Sequence, residues 1–326
     1  MIEIIAATPF ATVQDSGRDG YRAQGVSLAG AMDRQALALG NALLGNDPGA
    51  AGIETSAGPL HLRFGTDTCI ALTGAAAVAT LDGDPVPFGW CMAVRAGQVL
   101  DIGAPKDGMW SYLCLSGGLG VPKVLGSAST DRKIGLGGPA EGAPLRPGQR
   151  LDCGPVDPRR LAVTAELGGY GLTLREGAQD PDGARRIRVL PAREYGCFTP
   201  QARALFWSTP WTVGQDSNRV GYRLSGETLA LAAPLSLPSY GLVPGTVQVP
   251  AGGQPIVQLS EANTCGGYPK IGVVIEADQP ALVQARPGRK LRFVQTDLPG
   301  ALSARQDMRA ELIEAREIAR KMLTWI

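Results

Sequence analysis

A carboxylate stands three residues before an arginine in two separate stretches of this chain, and a tyrosine and a second arginine follow each pair. The first stretch runs Gln14-Asp15-Ser16-Gly17-Arg18-Asp19-Gly20-Tyr21-Arg22. The second runs Gln215-Asp216-Ser217-Asn218-Arg219-Val220-Gly221-Tyr222-Arg223, with seven of nine positions identical. An arginine fork captures a planar carboxylate, carbamate or phosphate through two parallel N–H bonds. The same letters also suit an Asp–Arg pair that braces a turn. Upstream context repeats too: Ile2-Glu3-Ile4-Ile5 precedes the first copy and Ile187-Arg188-Val189-Leu190 the second. The duplication predicts two related modules, each presenting one acid–arginine–tyrosine loop.

A further cluster is Ser260-Glu261-Ala262-Asn263-Thr264-Cys265-Gly266-Gly267-Tyr268-Pro269-Lys270, set between two apolar strand patterns. Glu261 can accept a proton, Asn263 and Thr264 can hold an amide, and Lys270 can neutralise developing negative charge. Gly266 and Gly267 let a backbone approach a ligand closely and aim N–H groups at it. A glycine hairpin with a solvated lysine has the same letters, but polar density at a strand end favours a site. Ser116-Gly117-Gly118-Leu119-Gly120-Val121-Pro122-Lys123 echoes the pattern with a different spacer, and Ser127, Ser129, Thr130 and Lys133 beyond it can bind an anion. The expected catalytic set is therefore Asp15, Arg18, Arg219, Glu261 and Lys270. Tyr21, Tyr222, Asn263, Thr264, Gly266 and Gly267 are the expected substrate contacts, and no metal site is expected.

Other chemistry is missing from the sequence. There is no G-x-x-x-x-G-K-[ST] loop, so ATP, if bound, is not held in a Walker cradle. The single histidine, His61, sits between leucines of a strand pattern and reads as a residue on the outer face of a sheet. A serine triad would depend on it alone, and no sulfur or carboxylate spacing suits zinc. The Met-Lys-Met context of biotin attachment is absent too, so any biotin must ride on another chain.

Many short strands must position these residues. Leu60–Phe64, Thr68–Leu72, Met92–Ile102, Trp110–Leu115, Ile187–Leu190, Thr246–Val249, Pro255–Leu259 and Ile271–Ile275 carry strand patterns, and Leu81-Asp82-Gly83-Asp84 reads as a turn. Gly (44) is about twice its average share and Pro (25) is high, which favours tight turns over long helices. Helices are expected at Met32–Leu44, with Asp33 near its start, and at about Ala304–Leu323, with Ser303 as N-cap. Met308, Leu312, Ala315, Ala319 and Met322 form an apolar stripe on the latter. The pattern argues for a mainly β fold of barrels or sandwiches.

At 326 residues the chain suits two domains, cut near 180–186 at the loop 177–183: 1–184, about 185–300, and a helical tail 301–326. A net charge of +1 gives no field for nucleic acid or an acidic membrane, and no apolar run approaches the ~20 residues of a membrane helix. The N-terminus shows no basic-then-apolar leader, and the six scattered cysteines read as free thiols in a reducing cytoplasm.

Together these strings resemble the KipA family, also called allophanate hydrolase subunit 2 or the C-type subunit of 5-oxoprolinase. The resemblance rests on Gln14–Arg18, Gly25-Val26, Gly30-Ala31-Met32-Asp33-Arg34, Gly45-Asn46, Leu125-Gly126-Ser127, Asp216-Ser217, Arg219, Gly221–Leu224 and Gly266–Ile271, and covers about residues 1–295. The carboxyltransferase region of urea carboxylases is similar as well. The resemblance implies a mainly β chain of two cyclophilin-like β-barrel domains related by internal duplication, plus a C-terminal helix. It also implies a KipI-like partner (the B-type subunit of 5-oxoprolinase) and, in the bacterial enzyme, a LamB/YcsF-type subunit. The sequence departs from the family pattern at Ala29 (usually Ser), Asn218 (Asp), Cys265 (Thr) and Gly120 (Asp).

Three functions follow from the resemblance. In the first, the chain serves an ATP-dependent 5-oxoprolinase, with Mg-ATP handled in the partner complex and glutamate as product. There Arg18, Arg219 and Lys270 stabilise phosphoryl or oxyanion charge. In the second, it moves a carboxyl group from carboxybiotin on a separate carrier to urea or a related amide. Lys270 and an arginine then hold the carboxylate, while Glu261 or Asp15 helps deprotonate the acceptor. In the third, it only binds and regulates a KipI-type protein. The missing biotin site places the first ahead of the second.

Overall fold

A computed structural model describes residues 1–172 and 179–325; Gly177 and Ala178 of the expected linker lie outside the described residues. Chain contacts divide it into two units. Within the described residues, unit 1 holds 1–18, 29–172 and 308–325, and unit 2 holds 19–28 and 179–307.

Unit 1 opens with β1 (Ile2–Ala7), β2 (Thr12–Gln14) and helix α1 (Arg34–Leu43). Then follow β3 (Gly52–Ser56), β4 (Leu60–Phe64), β5 (Thr68–Gly74), β6 (Ala77–Leu81) and β7 (Asp84–Pro85). β8 (Trp90–Val94), β9 (Val99–Pro105), β10 (Trp110–Leu115), β11 (Arg150–Leu151), α2 (Pro158–Leu167) and β12 (Tyr170–Gly171) complete it. The strands form two six-stranded sheets, ordered β11-β1-β4-β9-β6-β7 and β12-β8-β5-β10-β3-β2. Ile4, Leu62, Phe64 and Ile102 of the first sheet share one core with Ile53, Ile70, Leu72 and Leu113 of the second. β4 shows the period-two logic: Leu60, Leu62 and Phe64 are buried, whereas His61 faces outward, 2.6 Å from Asp101 on β9. α1 begins where the Asp33 side chain accepts a hydrogen bond from Ala36 N (2.9 Å), and lies on β5 and β10. A Cβ at Gly40 would stand 2.7 Å from Cys114 Sγ, so glycine is what lets the helix approach the sheet this closely.

Unit 2 comprises β13 (Arg185–Pro191), α3 (Pro200–Ser208), β14 (Pro210–Val213), β15 (Gly221–Ser225), β16 (Tyr240–Gly241) and β17 (Thr246–Gln248). It continues with β18 (Ile256–Gln258), β19 (Cys265–Gly266), β20 (Lys270–Val274), α4 (Gln279–Val283) and β21 (Lys290–Gln295). Seven of these strands close a barrel in the order β13-β20-β17-β18-β15-β14-β21, and β16 pairs with β19 in a separate ribbon. Closure uses one parallel pairing, β13 with β21, which sets Ile187 beside Phe293. Val247, Val257 and Tyr222 are neighbours across β17, β18 and β15, and all are buried. Trp211, Phe206 and Phe293 add an aromatic cluster to the core. The last helix, α5 (Leu298–Met322), groups with unit 2 to Asp307 and with unit 1 from Met308.

The chain is thus mainly β with a C-terminal helix, and three local expectations change. The single strand expected over Met92–Ile102 is two, β8 and β9. Gly97, with φ +92°, turns the chain between them, and they join different sheets. α5 starts at Leu298 rather than near Ala304, because Asp297 accepts from Gly300 N (2.9 Å) and Pro299 fits a first helical turn; Ser303 lies inside the helix. Helices α2 and α3 were not anticipated. Each starts on a capping side chain followed by proline, Asp157-Pro158 and Thr199-Pro200.

Trp211 is fully buried, and its indole N–H donates to the Phe206 carbonyl at 3.1 Å. Trp211→Ala leaves a large void and an orphaned acceptor in the barrel and should cost about 3–5 kcal/mol. A urea-unfolding series followed by circular dichroism measures this, and a midpoint equal to wild type would contradict the barrel core described.

Candidate functional site

The two copies of the repeated loop use the same letters differently. In unit 1, Asp15 is buried, and its carboxylate accepts from Gly17 N (2.8 Å), Ala128 N (2.7 Å), Ser127 Oγ (2.6 Å) and Ser129 Oγ (2.5 Å). The two serines with anion-binding potential are therefore committed to Asp15. Arg18 is also fully buried and donates to the carbonyls of Val124 (3.1 Å) and Ser129. A Cβ at Gly137 would overlap the Arg18 guanidinium, so that glycine is obligatory for the arginine's seat. Asp15 and Arg18 thus tie the 14–18 loop to the 124–137 segment.

In unit 2, Asp216 is exposed and pairs with Arg223 (2.9 Å), while Asn218 Oδ1 accepts from Val220 N (2.9 Å) to form the turn. Arg219 pairs instead with Glu261, Nε to Oε1 at 2.5 Å, with side chains 10% and 5% exposed. The backbone joins the same segments, Glu261 N to Arg219 O at 3.0 Å and Leu259 N to Val220 O at 3.0 Å. Tyr222 lies within β15, buried, with its hydroxyl on the Val283 carbonyl (2.6 Å). Tyr21 lies in the 19–28 segment of unit 2, half-buried, and its carbonyl accepts from Gln24 and Val26 N.

A second polar group gathers on the outer face of the barrel. Alternation puts Val247 and Val257 on one face of β17 and β18 and Gln248 and Gln258 on the other. A bulge between β17 and β20 sets Lys270 opposite Gln248. Gln258 Nε2 donates to Gln248 Oε1 (3.0 Å), and a Cβ at Gly266 would stand 2.8 Å from Gln248 Nε2, so the β16–β19 ribbon lies directly over this layer. Gly267 likewise approaches backbone, its Cβ position 3.1 Å from the Leu237 carbonyl. The buried Lys270 donates from Nζ to the Gly266 carbonyl (2.8 Å), with Nζ 3.2 Å from the centroid of the Tyr240 ring. Tyr240 in turn donates its hydroxyl to Glu194 Oε2 (2.6 Å), which also accepts from Lys270 N (3.2 Å). Asn263 and Cys265 are exposed beside this group, Thr264 is half-buried, and the Thr264 carbonyl accepts from Leu242 N at 2.9 Å.

The electrostatics follow from burial. Desolvation pulls the Lys270 pKa below the ordinary lysine value, opposed by the Glu194 carboxylate. Burial first, and Glu194 second, push the Tyr240 phenol well up, so it remains an O–H donor. Glu194 and Tyr240 are missing from the sequence-derived set. Glu194 stands 76 residues before Lys270 and follows a strand with no motif around it, so only the fold brings it there.

Residues 24–295 match the model of the carboxyltransferase domain, subdomain A and B. The chain belongs to this family. It is 44% identical over 94% of its length to the C-type subunit of 5-oxoprolinase from Escherichia coli K12, covering 95% of that protein, and 40% identical to the subunit of the same name from Haemophilus influenzae over 98% of both. The crystal structure of the Kluyveromyces lactis urea carboxylase superposes with a TM-score of 0.85 at 25% identity, over 98% of this chain and 29% of the other. The matched span contains the second copy of the repeated loop and the Gly-Gly-Tyr-Pro-Lys run, whereas the first copy lies before it.

Two expectations follow. Arg219→Met strands the buried Glu261 charge and should cost about 3–5 kcal/mol, whereas adding Glu261→Leu should restore most of it. Denaturation of the two single variants and the double variant measures the coupling, and additive losses would refute a paired site. Lys270, with its lowered pKa, should be acylated at lower pH than the exposed Lys106 and Lys123, as read by peptide mass spectrometry across a pH series. Between that lowered pKa and the ordinary lysine value the unfolded chain binds more protons, so Lys270 adds stability as pH rises through this window.

Proposed function

We propose that the chain is one subunit of an ATP-dependent 5-oxoprolinase that opens the lactam of 5-oxoproline to glutamate. The observation that carries this reading is coverage. The likeness to the Escherichia coli protein runs through 94% of this chain and 95% of that one, whereas this chain matches only 29% of the urea carboxylase chain. Nucleotide and magnesium are assigned to the partners, one KipI-like and one of the LamB/YcsF type, and this chain positions the small amide substrate. The complex would work in the cytoplasm, where ATP is supplied and the six free thiols stay reduced.

In this reading Lys270 is the anion contact. An ammonium held in a partly desolvated setting attracts a carboxylate more strongly than one in water, and 5-oxoproline carries a carboxylate beside its lactam. Asn263 and Thr264 lie on the same loop and can hydrogen-bond the lactam. Arg219 and Glu261 anchor the start of that loop, so they act on the substrate through its position. Asp15 and Arg18 brace unit 1.

The test is ADP release by the chain mixed with its partner subunits, with and without 5-oxoproline, and with avidin in parallel to remove biotinylated protein. Release that depends on 5-oxoproline and ignores avidin is expected. Lys270→Met should lower kcat/KM by roughly 10- to 100-fold, the loss of one charged hydrogen bond or a little more. A stable complex without release would overturn the reading, and avidin-sensitive turnover would point to carboxyl transfer instead.

A further inference from the structure

An ammonium carries three donors, and among the described residues Lys270 Nζ finds one hydrogen-bond acceptor, the Gly266 carbonyl. The Tyr240 ring covers another side of Nζ. The ring is itself fixed, because the phenol is bound to a buried carboxylate that also holds the Lys270 backbone. Glu194 Oε2 thus joins three segments: the one-turn helix at Arg193–Cys197, the ribbon strand β16 and the first residue of β20. A four-carbon lysine stem has ample freedom of its own, and fixing it costs entropy that a stiff scaffold must supply in advance.

We propose that Tyr240 and Glu194 are positioning residues for Lys270, holding its ammonium so that the remaining N–H bonds meet a small anionic substrate. The substrate side of this inference rests on the reading of Lys270 as the 5-oxoproline carboxylate contact; the positioning side does not. The aromatic face stabilises the cation from one direction, and the Gly266 carbonyl fixes it from another. Glu194 does not touch Nζ. Its hydrogen bonds go to the tyrosine hydroxyl and the Lys270 backbone, so it sets geometry, and its charge adds only a longer-range attraction for the ammonium.

Four variants separate the roles: Tyr240→Leu removes ring and hydroxyl, Tyr240→Phe only the hydroxyl, Glu194→Leu both acceptors, and Glu194→Gln only the charge. A glutamine oxygen can still accept from the phenol and from Lys270 N. The first readout needs no turnover: the acetylation rate of Lys270 by an N-hydroxysuccinimide ester in the full chain, relative to exposed Lys106 and Lys123. Tyr240→Leu and Glu194→Leu should raise it about tenfold, the scale of one lost charge-assisted hydrogen bond, with Tyr240→Phe between and Glu194→Gln, which keeps both hydrogen bonds and loses only the longer-range attraction, well below the leucine variants. Equal relative rates in all variants would overturn the positioning role, and Tyr240→Phe keeps the test open should a leucine variant fail to fold. The second readout is steady-state turnover in the complex, where Tyr240→Leu should raise KM for 5-oxoproline roughly tenfold with kcat nearly unchanged, as loss of ground-state binding does. Shifted acetylation with a wild-type KM upholds the positioning and removes Lys270 from 5-oxoproline binding.

Discussion

The outer face of unit 2 depends on a ladder without an edge. Closure through the parallel β13–β21 pairing gives each of the seven short strands two neighbours, so none leaves an unpaired edge. The interior then fills with Trp211, Tyr222, Val247, Val257 and Phe293, leaving little room for polar side chains. Polar side chains of these strands are placed on the other face. Gln248, Gln258 and Lys270 emerge on the other face of the same strands, and the β16–β19 ribbon shields them from bulk water. A bulge is the device that turns Lys270 to that side, since strict alternation from Gly272 would aim it inward.

Buried charge explains why two peptides that match at seven of nine positions serve different ends. A buried ion must be paired or saturated with hydrogen bonds. Asp15 meets this demand with two backbone amides and two serine hydroxyls, all local to unit 1. Its counterpart Asp216 stays in water with Arg223, and the corresponding arginine finds Glu261, 42 residues downstream. The repeat therefore preserves a loop that carries a buried arginine, while the arginine's partner is free to differ. In unit 1 the partners are carbonyls; in unit 2 it is a carboxylate that pins the segment entering the Asn263–Lys270 loop.

Period-two patterning made most strands legible, whereas the repeated peptide does not show that one unit carries two six-stranded sheets and the other a closed seven-strand barrel. Two adjacent strands with no apolar interruption, β8 and β9, read as one because the pattern carries no sign of a change of sheet; only Gly97 marks it. The capping pairs Asp157-Pro158 and Thr199-Pro200 stand in the sequence but suit turns as well as helix starts, and α2 and α3 were not read from them. On the site, Lys270 was legible as a cation after two glycines, and Glu261 as an acid on the same loop. That Glu261 would be consumed by Arg219 was not, because pairing across 42 residues is a tertiary fact. Glu194 and Tyr240 were invisible for the same reason. A ring and a carboxylate gain meaning only when separate segments converge on one ammonium.

The positions at which the sequence leaves the family pattern bear on whether the chemistry has changed. Asn218 uses its carbonyl oxygen to accept from Val220 N, a bond an aspartate oxygen would make equally well, so the turn before Arg219 survives the change. Cys265 is exposed, and its backbone pairs with Gly241 in the ribbon, so its identity is not needed for the strand pairing. A Cβ at Gly120 would meet Asp152 at 3.2 Å, in unit 1. Ala29 sits buried at φ +50°, also in unit 1, where its carbonyl accepts from Arg34 (3.2 Å). None of the four contributes an atom to the Lys270–Tyr240–Glu194 group. The group proposed to meet the substrate is thus built from residues outside these four positions, and Cys265, exposed on the β16–β19 ribbon, is the one changed side chain on the element that covers it.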